Sequence, residues 1–392
     1  MHVGMASFFQ NPGKRLADAE VYRQEIAIAD LAEPLGFDSI WSAEHHFDDY
    51  TMCPNVAQFL TYMAGRTNRA GLGSMVMVLP WHDPIRLAEE ISVLDILSAG
   101  RLILGVGRGL GRIEFNGFRA EMGESRQRFL EYAEALLGAL ETGILEYDGQ
   151  LYRQPRIEVR PKPTRSFRGR TYAASISPQS IELSCRLGLG LLIIAQKPWA
   201  TTEAELADYR ARFREINRAD APKPVVAAFV AVHEDERVAR DMFERYIRGY
   251  SRSALQHYEF HNRGLADIPG YEYYGKLADN IARHGIDTFV DFLSELQVWG
   301  TPEQVFNRLV EYRERTDCGA LVGIFSYGGM PYDLARHNLT LFAEKVLPRL
   351  QAIRIEEPGW AAGGQQSSLA AVADTVSPNR RATSPAIASH SS

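Results

Sequence analysis

Short apolar runs alternate along the chain with longer stretches in which apolar residues recur at the spacing of one helix face. The runs 2–6, 37–41, 71–79, 101–106, 171–175, 189–195, 224–231 and 319–325 predict strands, and the stretches 18–35, 54–66, 84–98, 124–142, 178–187, 203–218, 234–250 and 332–347 predict helices. Gly36, Gly100 and Gly188 stand where several of these helices stop. Successive βα units imply an all-parallel sheet with right-handed crossovers, either closed into a barrel or doubly wound. We read an α/β fold, a (β/α)8 TIM barrel with insertions after strands. The insertions are 143–170, where Tyr147-Asp148-Gly149-Gln150 predicts a hairpin turn, and 252–300, rich in aromatic residues and His. No aromatic residue follows Trp360, and Ala, Ser, Gly and Pro dominate from there to Ser392. One barrel domain is therefore expected over 1–355 and a disordered tail over 356–392.

Composition narrows the function classes. The 392 residues are 45% hydrophobic and 23% charged, enough apolar material for one large core. A net charge of −6 without a long basic run points away from nucleic acid. Cys53, Cys185 and Cys318 are too few and too scattered for a disulfide framework or a zinc ribbon, which fits a reducing compartment. With no charged leader before the first apolar run and no long unbroken apolar segment, a cytoplasmic, membrane-free protein is expected.

Three segments carry candidate chemistry. Glu44-His45-His46-Phe47 follows the second strand, at the barrel face where active sites form. A His there can act as acid or base, hydrogen-bond a polar heterocycle, or simply pack; a metal role would need a second ligand cluster, and none shows in the spacing. Gly105-Val106-Gly107-Arg108-Gly109-Leu110-Gly111 ends the fourth strand, where bare backbone admits a ligand and Arg108 offers a fork for phosphate. Its spacing does not match the dinucleotide fingerprint, because Leu110 or Arg112 falls where the third glycine belongs. Ser177-Pro178-Gln179-Ser180 opens a helix, which suits either capping alone or the second half of an anion site beside Arg108.

These motifs, with Val78-Leu79-Pro80, Asp83-Pro84, Leu94-Asp95, Ser98-Ala99-Gly100-Arg101-Leu102 and Val298-Trp299-Gly300-Thr301-Pro302-Glu303-Gln304, occur in the order seen in the bacterial luciferase-like flavin monooxygenases. The chain resembles that family from residue 2 to about residue 350. The resemblance implies an FMN-dependent monooxygenase that uses reduced FMN and O2 to oxygenate a small organic substrate. It implies a separate flavin reductase as partner and a homodimer. Residue by residue, His45 is similar to the family's active-site His. Arg108, Ser177 and Ser180 are similar to its FMN-phosphate ligands, with the backbone of Leu110 and Ile176 beside them. Met75 and Val76 match the pair, joined by a cis peptide, on which the isoalloxazine rests. No metal is implied. Gly107 stands where the luminous enzymes carry a reactive Cys, and Ala195-Gln196-Lys197-Pro198-Trp199 departs from their pattern, so light emission is not implied. The rival readings are a deazaflavin-dependent oxidoreductase on the same barrel, a non-catalytic flavin-binding subunit, and a metal-dependent barrel hydrolase. The 252–300 insertion reads either as a lid over the site or as a packing or dimer surface.

Overall fold

The computed structural model describes residues 1–174, 178–355 and 360. Its centre is a closed barrel of eight parallel strands: β1 (His2–Ser7), β2 (Ser39–Ser42), β3 (Gly71–Ser74), β4 (Leu102–Gly107), β5 (Thr171–Ala174), β6 (Gly190–Ile194), β7 (Val225–Val232) and β8 (Ala320–Ile324). Each pairs with its sequence neighbours, and β8 closes on β1 with Val3 opposite Leu321 and Met5 opposite Gly323. Every residue of β4 and of β7 is buried, as expected for strands covered on both faces. Each predicted strand is present, but the run 71–79 is broken. Pairing stops at Ser74, the Met75–Val76 peptide is cis, and Met77–Val78 rejoins β4 beside Val106 and Gly107.

Large side chains fill the barrel where neighbouring strands supply none. A Cβ added at Gly73 would lie 2.1 Å from Trp41, and one at Gly190 would lie 2.4 Å from Tyr172, so these strands must be bare at those positions. At the N-terminal end of the barrel Trp41 Nε1 donates to Ser39 Oγ, which also bonds His2 Nε2 at 2.7 Å. Burial holds the His2 imidazole down at about 3, so it is neutral. Trp360 sits edge-on to His2 with centroids 4.2 Å apart and donates Nε1 to the Tyr172 hydroxyl at 2.8 Å. Trp360 lies beyond the boundary expected at 355, yet it is buried. The other residues of the expected tail lie outside the described residues.

The insertions take definite forms. Ile144–Asp148 and Arg153–Glu158 make the expected antiparallel hairpin, whose turn is held by Glu131 accepting from the amides of Gln150, Leu151 and Tyr152. The second insertion is helical, with Arg248–His257, Tyr273–His284 and Ile286–Glu295 packed around Leu255, Phe260, Leu265, Tyr274 and Phe289. Arg112–Phe118 and Pro302–Thr316 are further helices that hydrophobic periodicity did not mark.

Two stability effects follow. Trp360→Ala is expected to cost about 3 kcal/mol in urea unfolding, because it leaves an unfilled space under the barrel; an unchanged midpoint would mean that the ring adds nothing to the fold. Burial lifts the Glu25 carboxyl to about 7, against a hydrogen bond from Ser326. Between the ordinary carboxylate value and about 7 the folded chain therefore holds a proton that the unfolded chain has lost, and stability falls as pH rises through that window. Glu25→Gln should abolish this fall and exceed the parent at pH 8 by on the order of 3 kcal/mol; parallel pH profiles for the two proteins would refute it.

Candidate active site

The C-terminal ends of the strands surround an apolar cleft whose walls include Phe8, Ala43, Met75, Val76, Leu192 and Ile194. The break after β3 shapes its floor. Met75 N donates to Ser42 O and Val76 O accepts from Glu44 N, so the cis pair is held from the β2 side. On the other side Gly107 leaves room for it, since a Cβ there would lie 2.4 Å from Val76 Cγ2.

Two buried carboxylates organise the mouth. Glu44 accepts from His46 Nε2 at 3.0 Å, His82 Nε2 at 2.8 Å and the Val78 amide at 2.8 Å. Burial pushes the Glu44 carboxyl up, but these bonds outweigh it and hold the group below the ordinary range; on His82 burial acts downward and Glu44 outweighs it, raising the imidazole. Glu114, in the first turn of Arg112–Phe118, puts Oε1 at 2.9 Å from both His45 Nδ1 and the His46 amide. With Nδ1–H donated to Glu114, His45 turns Nε2 toward the cleft, where the Tyr258 hydroxyl lies 3.2 Å away. The result is an oriented imidazole able to hold or release a proton at one known atom.

The helical insertion roofs the cleft with Tyr258 and Tyr274, joined by Tyr250. Burial keeps the Tyr258 and Tyr274 phenols raised and therefore neutral. Arg108 reaches from the Gly-rich loop to the roof. It donates Nη1 to the Gly270 carbonyl at 2.9 Å and stacks on Tyr271 at 4.1 Å, while making no ion pair among the described residues.

His45, Met75, Val76, Arg108, Leu110 and Ser180 thus all line one cleft. Ile176 and Ser177 lie outside the described residues. Sequence reasoning missed Glu114 and Asp48 and had His257 only within the aromatic insertion; the fold brings Glu114 and His257 to His45 across 69 and 212 positions, while Asp48 follows His45 by three. The ligand-type atoms of His45, Glu114 and His257 lie within 4.8 Å of one another, although no spacing in the sequence links them. Glu114 Oε1 is already engaged by two N–H donors there.

A sequence model of the luciferase-like monooxygenases matches residues 1–317. The alkanal monooxygenase alpha chain of Photobacterium leiognathi is 26% identical over 361 residues, covering 88% of this chain and 97% of that one. Among solved structures, the monooxygenase RslO1 from Streptomyces bottropensis superposes with a TM-score of 0.72 at 23% identity over 89% of this chain and 100% of that one. The oxygenating constituent of 3,6-diketocamphane monooxygenase from Pseudomonas putida, in complex with FMN, gives 0.70 at 17% identity over 91% and 99%. An F420-dependent secondary alcohol dehydrogenase with an F420–acetone adduct gives 0.66 at 13% identity over 88% and 98%. At these identities the structural likenesses speak for the fold.

Glu44→Gln tests the first carboxylate. The pair with His82 contributes stability that is lost as pH falls through the lowered Glu44 value or rises through the raised His82 value. Its removal is expected to cost roughly 3 kcal/mol near neutrality, because a buried imidazole loses its partner. Equal urea midpoints between pH 5 and 8 would refute this.

Proposed function

Because the chain belongs to the luciferase-like monooxygenase family, we propose that it uses reduced FMN and O2 to oxygenate a small organic substrate. The observation that carries this reading is Arg108, a guanidinium without an ion-pair partner among the described residues, at the end of an apolar cleft roofed by tyrosines. A cofactor that is anionic at one end and flat and apolar at the other fits that arrangement.

In this reading Arg108 holds the phosphate, with Ser180 at the start of helix Pro178–Arg186 on the same cleft and Ser177 completing the set. In the same reading Met75 and Val76 support the ring beside Leu110, and Ile176, outside the described residues, is the second backbone contact that the family resemblance implies. Bound reduced FMN supplies two electrons to O2, one oxygen atom going to the substrate and the other to water. With its Nδ1–H held by Glu114, His45 presents Nε2 beside the ring to take up a proton or, once doubly protonated, to deliver one. Tyr250, Tyr258 and Tyr274 keep water from the reacting atoms. The Gly-rich loop lacks a dinucleotide fingerprint, which supports supply of reduced FMN by a separate reductase. We also propose a homodimer in the cytoplasm; among the described residues no helix is long and apolar enough to cross a membrane.

The test is equilibrium binding of reduced FMN without oxygen, followed by rapid mixing with oxygenated buffer. Arg108→Ala should weaken binding by about 10- to 100-fold, the worth of one charge-assisted contact. His45→Ala should bind within about threefold of the parent yet divert the bound flavin to hydrogen peroxide, with oxygenated product per reduced FMN falling by a factor of about 10² or more, since an acid or base is missing. Unchanged affinity in Arg108→Ala, or hydride transfer from a reduced deazaflavin with no reaction from FMN, would overturn the reading.

A further inference from the structure

Behind His45 lies a second, polar cavity, lined among others by Asp48, Asp49, Arg112, Gln256 and Glu259. His257 lines it but not the active cleft, and Tyr50 lines both. The His257 side chain is 1% exposed, and Nδ1 lies 2.5 Å from Asp48 Oδ2. Its other nitrogen, Nε2, is buried without a hydrogen-bond partner among the described residues and lies 3.7 Å from Glu114 Oε1. A buried ring nitrogen left unbonded costs free energy that a purely structural His would avoid. The position is also tightly built. Tyr50 stacks on His257 at 4.5 Å, and the His45 and Tyr258 rings meet it edge-on at 4.8 Å. A Cβ at Gly111 would fall 2.6 Å from Glu114 Oε2 and 2.9 Å from His257 Nε2, so only glycine lets these two groups approach.

The atoms form a line. Asp48, with its side chain 22% exposed, faces the polar cavity; His257 follows, then Glu114, then His45, whose Nε2 opens on the cleft. We propose that Asp48, His257 and Glu114 carry protons between the second cavity and His45, so that the roofed cleft exchanges protons with solvent without admitting water. This rests on the oxygenase reading for its purpose. Anionic reduced FMN, O2, substrate and one proton give oxidised FMN, oxygenated substrate and one water, so each turnover draws one proton from outside a site that must stay dry. When His257 takes a second proton from the Asp48 side, its Nε2–H faces the Glu114 carboxylate, and the 3.7 Å gap closes by a shift of less than one hydrogen-bond length. Glu114 hands that proton to Nδ1 when His45 carries its own proton at Nε2. Nε2 then releases into the cleft, which leaves the Nδ1–H form that donates to the Glu114 carboxylate, and a turn of the ring returns the proton to Nε2 for the next turnover. His45 is the catalytic group; the other three are positioning residues that act through it.

Two measurements test the relay. In the cofactor-free protein, ¹⁵N spectra of the imidazoles should show His45 and His257 titrating in linked steps; His257→Gln should turn the His45 curve into a single step, and Asp48→Asn should displace it. With reduced FMN bound, proton uptake followed by an indicator dye after mixing with oxygen should slow by about 10²-fold in His257→Gln. In His257→Ala, added imidazole should restore it, while flavin affinity stays within about threefold of the parent, its phosphate contact being elsewhere. If the parent binds no reduced FMN, the oxygenase reading fails and the imidazole titrations still decide the relay. A His45 titration unaltered in both variants, or parental proton uptake in His257→Gln, overturns it. So does tight binding of Zn²⁺ to the cofactor-free protein that Glu114→Gln abolishes, which would make the cluster a metal centre.

Discussion

The mouth of this barrel is organised by two carboxylates that have been taken out of water. Glu44 and Glu114 each have about 1% of their side chains exposed, and charge so placed is tolerated only where donors surround it. Glu44 meets the requirement by gathering His46, His82 and the Val78 amide, which fixes the loops after β2 and β3 against each other. Glu114 meets it with His45 and the His46 amide, which fixes one imidazole. Both carboxylates line the cleft, yet their charge is taken up by these donors, so the wall around them can stay largely apolar. A site arranged this way holds its imidazole in one orientation before any ligand enters.

That arrangement depends on a barrel packed by unequal partners. Trp41 and Tyr172 occupy space left by Gly73 and Gly190, and the same device at the mouth lets Gly107 back onto Val76 and Gly111 onto Glu114 and His257. Small residues at strand ends thus serve two ends: they admit large rings into the interior, and they bring backbone close to where a flat ligand would lie. Trp360 completes the opposite end by covering His2 and Tyr172, so the barrel is sealed from below while its chemistry opens above.

The eight strands were legible because each is a short apolar run with its own turn signals. The break at Met75–Val76 was not legible from periodicity, since apolar residues continue straight through it; only the family resemblance supplied it. Helix Pro302–Thr316 escaped because its buried face is narrow, with Val305, Leu309, Tyr312 and Thr316 among many charges. For the site, residues that sit at strand ends or in the Gly-rich loop were readable one segment at a time, and His45, Met75, Val76, Arg108 and Leu110 indeed meet. Glu114 and His257 were not. They lie 69 and 212 positions from His45 and carry no local motif, so nothing but the closed fold places them beside it.

The aromatic insertion was read as a lid or as a packing or dimer surface; its residues line the cleft and also pack into a core of their own. Its core includes Phe115 and Met122 from the segment that follows the Gly-rich loop, so the roof is rooted in the loop that carries Arg108. Arg108 itself holds the roof through the Gly270 carbonyl and the Tyr271 ring, and Tyr271 returns a hydrogen bond to Gly109 O at 3.0 Å. The Gly270 carbonyl takes one N–H of the five that a guanidinium offers, so the same side chain can hold the roof and still present donors toward the cleft.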